Sequence, residues 1–178
     1  VECTHKSMVP LLGKPILAHT IEALKKSGIT NIVLVVDDSG HIQSFFGDGA
    51  KIGVRIRYAI QKEAKGMGNA LLQAKDFIED AFLLLHGYHV DISDHVKELL
   101  DKKSDGVLLV EKRENTHEYG VVETKGDRVF HVVEKPEKGK EPSQFCIVGL
   151  YLLSKAFLQT LAKMPEKQYQ FEDALEKF

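Results

Sequence analysis

The sequence predicts an α/β fold, with a mixed, mainly parallel sheet, helices on both faces and an antiparallel extension in the second half. Three observations predict it. Helical and strand patterns alternate from Leu17 to Val110, the rhythm of strand–helix–strand units. The runs at 31–36 and 81–85 are apolar on both faces, as in strands covered by helices on each side. Beyond Glu111 the strand patterns follow one another with little helix between them.

The elements follow in order. Leu17, Ile21 and Leu24 recur at i, i+4 and i+7, one face of a helix. Pro15 suits its first turn, and Gly28 stands where the helix should stop. Residues 31–36 read as a buried parallel strand, and 41–46 as a short helix. Residues 54–60 alternate and predict a strand with one polar face. Ala70, Leu71, Ala74, Phe77 and Ile78 fit a further helix, and 81–85 another buried strand. Ser93 is placed to cap a helix through Val96, Leu99 and Leu100. Residues 107–110 predict a strand, as do 119–124, 128–134 and 145–153. Lys125-Gly126-Asp127 reads as a hairpin turn. Helices are expected at 154–162 and 171–178.

Composition narrows the function. The 178 residues are 43% hydrophobic and 28% charged, a globular balance that reads as one domain over 1–178. Twenty-four Lys and Arg against 26 Asp and Glu give a net charge of −2, without the basic surplus of a nucleic-acid binder. Cys3 and Cys146 are far apart and form no CxxC pair, which argues against a disulfide framework or zinc ribbon. No apolar run is long enough to span a membrane, and residues 1–6 show no signal pattern. A cytoplasmic protein is the expectation, with a homo-oligomer open.

Ligands of open α/β sheets bind beyond the carboxyl ends of strands, so the loops after Val36, Ile60 and Leu85 are searched first. The loop Gln61-Lys62-Glu63-Ala64-Lys65-Gly66-Met67-Gly68-Asn69 joins a strand to a helix. Its glycines let a ligand approach the backbone, and Gln61 offers donor and acceptor for a base edge. A tight turn explains the same glycines. Lys6 and Lys14 precede a helix and suit phosphate, or are solvated surface lysines. Glu134-Lys135 ends a strand and could hold a hydroxyl and a phosphate, or form an exposed ion pair. Gly120 permits close backbone approach or marks a bulge. His86, His89 and Asp91 invite a metal reading. On a strand, however, residues three apart point to opposite faces, so a zinc site is not expected. The eight histidines show no believable Ser/Asp partner arrangement for a hydrolytic triad.

Taken in order, five pieces resemble the sugar-1-phosphate nucleotidyltransferases. They are Lys6-x-Met8-x-Pro10-x-x-Gly13-Lys14-Pro15, Gln61 with Gly66-Met67-Gly68-Asn69-Ala70, Tyr119-Gly120-Val121-Val122, Glu134-Lys135-Pro136 and Gly149-Leu150-Tyr151. The resemblance implies a Rossmann-like domain that moves a nucleotidyl group from a nucleoside triphosphate to a sugar 1-phosphate, using Mg²⁺ and releasing pyrophosphate. A degenerate homologue that binds nucleotide or nucleotide sugar as a regulatory or scaffold subunit is the alternative. By this resemblance Lys6 is catalytic and contacts phosphate. Gln61, Gly66, Met67, Gly87 and Tyr88 bind nucleotide, while Gly120, Glu134, Lys135 and Gly149 bind the sugar phosphate. UTP or dTTP is favoured, with GTP or CTP also compatible.

The chain departs from the family at four places. The family's first strand and glycine-rich loop are expected to precede Val1, and a continuation to follow Phe178. The Mg²⁺-binding aspartate that should follow Gly87 is Tyr88, a poor ligand for that ion. Asp91 is a weak substitute, so no metal residue is assigned. Ile147 stands where an asparagine would contact the sugar. Near Gln168 or Gln170 an amide replaces a glutamate.

Overall fold

A computed structural model describes residues 5–167 and 170–178. After a 3₁₀ turn at Lys6–Met8 come β1 (Pro10–Leu11), β2 (Lys14–Pro15), α1 (Ile16–Lys26), β3 (Asn31–Val36), α2 (His41–Phe46) and β4 (Arg55–Ile60). Then follow α3 (Gly66–Gln73), β5 (Phe82–Leu85), α4 (Ser93–Leu100), β6 (Gly106–Lys112), β7 (Gly120–Lys125) and β8 (Arg128–Glu134). The chain closes with β9 (Phe145–Leu153), α5 (Lys155–Ala162) and α6 (Gln170–Lys177). The fold is mixed α/β, as expected. Its elements gather into two compact units, residues 5–63 with 85–103 and residues 64–84 with 104–178.

In unit one, β3 and β4 form a two-stranded parallel sheet in register from Asn31 opposite Arg55 to Val36 opposite Ile60. The helix α1 buries one stripe, Leu17, Thr20, Ile21, Ala23 and Leu24, as its apolar spacing requires. It stops where expected, with Ile29 N–H returning to the Leu24 carbonyl beyond Gly28. Ser93 does not cap α4. Ile92 occupies the cap position, and the Ser93 hydroxyl donates to the Ala23 carbonyl of α1 while its own carbonyl accepts from Ser27 Oγ. A long-range partner has taken the group that a local reading assigns to the helix end.

Unit two is built on a five-stranded sheet in the order β5-β9-β7-β8, with β6 also paired to β9. The β6–β9, β7–β8 and β7–β9 ladders are antiparallel. Lys125 pairs with Arg128, so Gly126-Asp127 makes the expected hairpin turn. The helix expected through Ile78 ends at Gln73, and a 3₁₀ turn at Lys75–Phe77 follows. β5 is half-buried along its length rather than buried, with Phe82 and Leu84 packed against the core cluster. Apolarity on both sides of a strand overstated how much of it is covered. The core holds Phe171 edge-on to Tyr151 and Phe157, with ring centroids 5.1 and 5.2 Å apart. Each such pair contributes about 0.5–1.5 kcal/mol beyond its buried area.

Candidate functional site

In unit one the Lys6–Met8 turn closes with Val9 N–H on the Lys6 carbonyl and packs beside Gly87. A Cβ at Gly87 would stand 3.0 Å from Leu17 Cδ1 and 3.6 Å from Ser7 Cβ. A side chain there would press on α1, so the glycine lets the two segments meet. The meeting places Lys6 Nζ 5.5 Å from the centroid of the Tyr88 ring, within cation–π range. Tyr88 in turn stacks on His86 at 5.0 Å and 6°, with His89 tilted at 5.4 Å. The structure thus brings Lys6, Gly87 and Tyr88 together. It corrects the reading of the histidines. Residues 86–89 form a turn, closed by His89 N–H on the His86 carbonyl, and the two rings come within 6.0 Å. Strand alternation does not apply to a turn. The buried Thr20 hydroxyl fixes this turn from α1 by donating to the His89 carbonyl at 2.6 Å.

Burial, then His89 and then Lys6 hold the His86 pKa below the ordinary histidine value. Burial also raises the Tyr88 phenol, which keeps its proton at neutral pH. Nearby, His5 Nε2 lies 3.0 Å from Asp37 Oδ2, and the Ser39 hydroxyl leads the groups that hold the Asp37 carboxyl below its usual range. The donor chemistry around residue 88 does not fit Mg²⁺. The ion takes hard anionic oxygen, whereas this position offers a protonated phenol under a lysine ammonium. Asp91 is exposed in a turn, and the described residues contain no group of three or more His, Cys, Asp or Glu that could hold a metal.

The loop after β4 divides between the units. Gln61 N–H donates to the Val36 carbonyl at 2.8 Å and so continues the parallel ladder of unit one. In unit two, Gly66 begins α3, exposed and with φ +88°. Met67 is half-buried against the core cluster, which gives its side chain a packing role. Gly68 is buried, and a Cβ there would meet Gln170 Oε1 at 3.1 Å and Leu161 Cδ1 at 3.2 Å. One of the two glycines is therefore explained by packing. Gln170 is itself structural: it is 4% exposed, and its amide donates to the Leu161 and Met164 carbonyls at the end of α5. Gln168 lies outside the described residues.

Also in unit two, Gly120 stands opposite Glu134 in the β7–β8 ladder. A Cβ on Gly120 would lie 2.9 Å from Glu134 Oε2 and 3.2 Å from Ile147 Cδ1. Both side chains thus lean over the bare backbone of Gly120. Ile147 presents carbon there, in place of the amide expected at that position. Lys135 N–H donates to the Tyr119 carbonyl, which turns the chain at the strand end with φ +46°. Burial raises the Glu134 pKa, and the adjacent Lys135 ammonium opposes it. Gly149 lies in β9 with φ +88° where the β6–β9 register shifts, between Leu108 opposite Tyr151 and Val110 opposite Ile147. It is a bulge glycine, in a conformation that a β-carbon would strain.

Glu172 escaped the sequence reading. On α6 it lies one turn from Glu176, whose carboxylate accepts from Val132 N–H and pairs with His131 on β8. That anchor lays one face of α6 along β8, and the i, i+4 partner shares the face. Burial raises the Glu172 pKa; Glu134 and Asp173 push the same way, against its own backbone N–H and Lys135. The signal available in the sequence was the four-residue spacing of Glu172 and Glu176, which says nothing until the helix has a neighbour.

A sequence profile described as Nucleotidyl transferase matches residues 2–178. The chain is 34% identical, over 99% of its own length and 42% of the relative's, to the Bifunctional protein GlmU of Methanococcus maripaludis. It is also 34% identical to the UTP–glucose-1-phosphate uridylyltransferase AglF of Haloferax volcanii, over 85% of this chain and 64% of that one. The chain therefore spans about half the length of the curated relatives it matches. Among solved structures, a UDP-glucose pyrophosphorylase complexed with UDP-glucose shares the fold at a TM-score of 0.79 and 20% identity, over 97% of this chain and 77% of that one. With a profile match over almost every residue and relatives of this identity, the chain belongs to the nucleotidyl transferase family.

Proposed function

We propose that the protein transfers a nucleotidyl group from a nucleoside triphosphate to a sugar 1-phosphate or a similar phosphate acceptor. The observation that carries this reading is the arrangement at Gly120, Glu134 and Lys135. A bare backbone position is faced by a half-buried carboxylate and followed by an ammonium. A carboxylate accepts hydrogen bonds from hydroxyls, a lysine neutralises phosphate, and a glycine leaves room for a ring.

In the reaction an acceptor phosphate oxygen attacks the α-phosphorus. The bond from that phosphorus to the bridging oxygen breaks, and pyrophosphate leaves with the electron pair. Both reactants are anionic, so the protein's contribution is positioning and charge neutralisation. Lys135 orients the acceptor phosphate, Glu134 its hydroxyls, and Lys6 offsets charge on the nucleotide phosphates. Gln61 and the backbone at Gly66 read the base. UTP or dTTP is the favoured donor, in line with the uridylyl- and thymidylyltransferases among its relatives. Mg²⁺ would supply further charge neutralisation through groups other than Tyr88. Such a reaction draws on nucleoside triphosphate, so the cytoplasm is its expected compartment.

The test is pyrophosphate release from each nucleoside triphosphate with a panel of sugar 1-phosphates and Mg²⁺. The expected result is release with at least one pair, and a fall in kcat/KM of about 10²–10³ in Lys6→Ala. Thermal stabilisation by a nucleotide without release from any pair would favour a binding subunit. Neither stabilisation nor release would overturn both readings.

A further inference from the structure

The group at residue 88 does not merely lack a carboxylate; its place is taken by a different apparatus. Lys6 Nζ lies 5.5 Å from the Tyr88 ring centroid, so a lysine side chain already sits over that ring. The ring is held from its other contacts by the His86 stack, at 5.0 Å and 6°, and by His89 at 5.4 Å. The turn that carries all three is pinned by the Thr20 hydroxyl and by the close approach at Gly87. Tyr88 is nevertheless 42% exposed, which leaves the residue open to a ligand. An ammonium and a phenol O–H on a fixed aromatic platform are both donors. They match an anionic oxygen directly and have no use for an intervening cation, which the lysine would repel.

We propose that Lys6 and Tyr88 hold the phosphates of the nucleotide directly, so that nucleotide binding at this site does not depend on a divalent ion. The inference rests on the nucleotide-binding reading given above and specifies how its phosphate subsite works. It concerns binding only. A divalent ion bound by other groups can still serve the transfer step.

The experiment is equilibrium binding of UTP, dTTP, GTP and CTP to the protein by calorimetry, in 5 mM MgCl₂ and again in excess EDTA (concentrations on the order used to saturate nucleotide with metal). The best-bound nucleotide is expected to show Kd values within about threefold in the two media. Tyr88→Phe keeps the ring, its stack and the lysine contact but loses the hydroxyl. It should weaken binding in EDTA about tenfold, the effect of one hydrogen bond to a charged group. Tyr88→Asp should weaken binding in EDTA further and make it at least about tenfold tighter in Mg²⁺ than in EDTA. Wild-type binding that collapses in EDTA would overturn the inference while leaving the nucleotide-binding reading intact. So would a Tyr88→Phe variant that binds like wild type. Absence of binding by every nucleotide in both media would overturn the two together. Melting temperatures of both variants, expected to stay near wild type, separate a binding loss from unfolding.

Discussion

Unit one carries Lys6 and Tyr88 on turns outside a two-stranded parallel sheet, whereas unit two carries Glu134 and Lys135 at the end of a strand in a five-stranded one. A two-stranded sheet is marginal by itself. The turns of unit one are therefore positioned by side chains: the Thr20 hydroxyl, the Ser93–Ser27–Ala23 hydrogen bonds and the aromatic stack on His86. In unit two the backbone does that work. The β7–β8 register sets Glu134 against Gly120, and a bulge at Gly149 and a dense aromatic core support the sheet. Chemistry hung on side-chain contacts is open to change by single substitutions. Chemistry set by strand register changes only when the ladder does. Tyr88 lies on such a turn of unit one, whereas Gly120 and Glu134 face each other across a strand ladder of unit two.

The contrast can be broken hardest at the core of unit two. Phe171 is 1% exposed and packs edge-on to two rings, so Phe171→Ala is expected to cost about 3–5 kcal/mol in denaturant unfolding. Amide exchange should rise most in β9, α5 and α6. Equal acceleration in α1 and β3 would mean that the two units unfold as one. Unit one should be weakest at Thr20. Thr20→Val leaves the His89 carbonyl without its 2.6 Å donor and is expected to cost about 1–3 kcal/mol. Exchange should rise at residues 86–89, with nucleotide affinity falling in parallel. A loss of stability without a loss of affinity would separate the turn from the binding apparatus.

The smallest effect distinguishes the units by pH. Glu22 of unit one is held low chiefly by its hydrogen bond from Lys14, so any stability it adds is present above its ordinary pKa of 4.5 and lost on acidification. Glu172 of unit two is raised by burial, and the sign reverses. Folding then favours the protonated form, and stability falls as pH rises from 4.5 through the raised value. Glu172→Gln should therefore raise the melting temperature at pH 8 and have no effect at pH 4. A variant less stable at pH 8 would show that the carboxylate is paired rather than strained.

Much of this was legible in the residues. The α1 stripe at Leu17, Ile21 and Leu24 follows from local periodicity, and the helix at 41–46 and the strands at 31–36, 128–134 and 145–153 stand where the sequence places them, although the apolar run at 31–36 buries just Ile32 and Val36. Ser93 misled because a hydroxyl's choice between its own helix end and a carbonyl on α1 is settled only in three dimensions. His86 and His89 misled because the strand ends at Leu85 and the alternation rule with it. Glu172 was invisible for want of its neighbour across α6 and β8. At the site, the residue types were readable and their company was not: Tyr88 stands out in the sequence as a missing carboxylate, but the lysine on its ring comes from more than eighty positions away.

The carboxylate of Glu176 has one more consequence. β8 is the outer strand of its sheet, with Phe130 exposed on it, and such a margin invites a strand from another molecule to add on. The Val132 amide hydrogen is already engaged by the helix, so an incoming chain finds a blocked rung and a negative charge beside it. The same glutamate that orients α6 thereby occupies one hydrogen-bonding position on an open sheet edge.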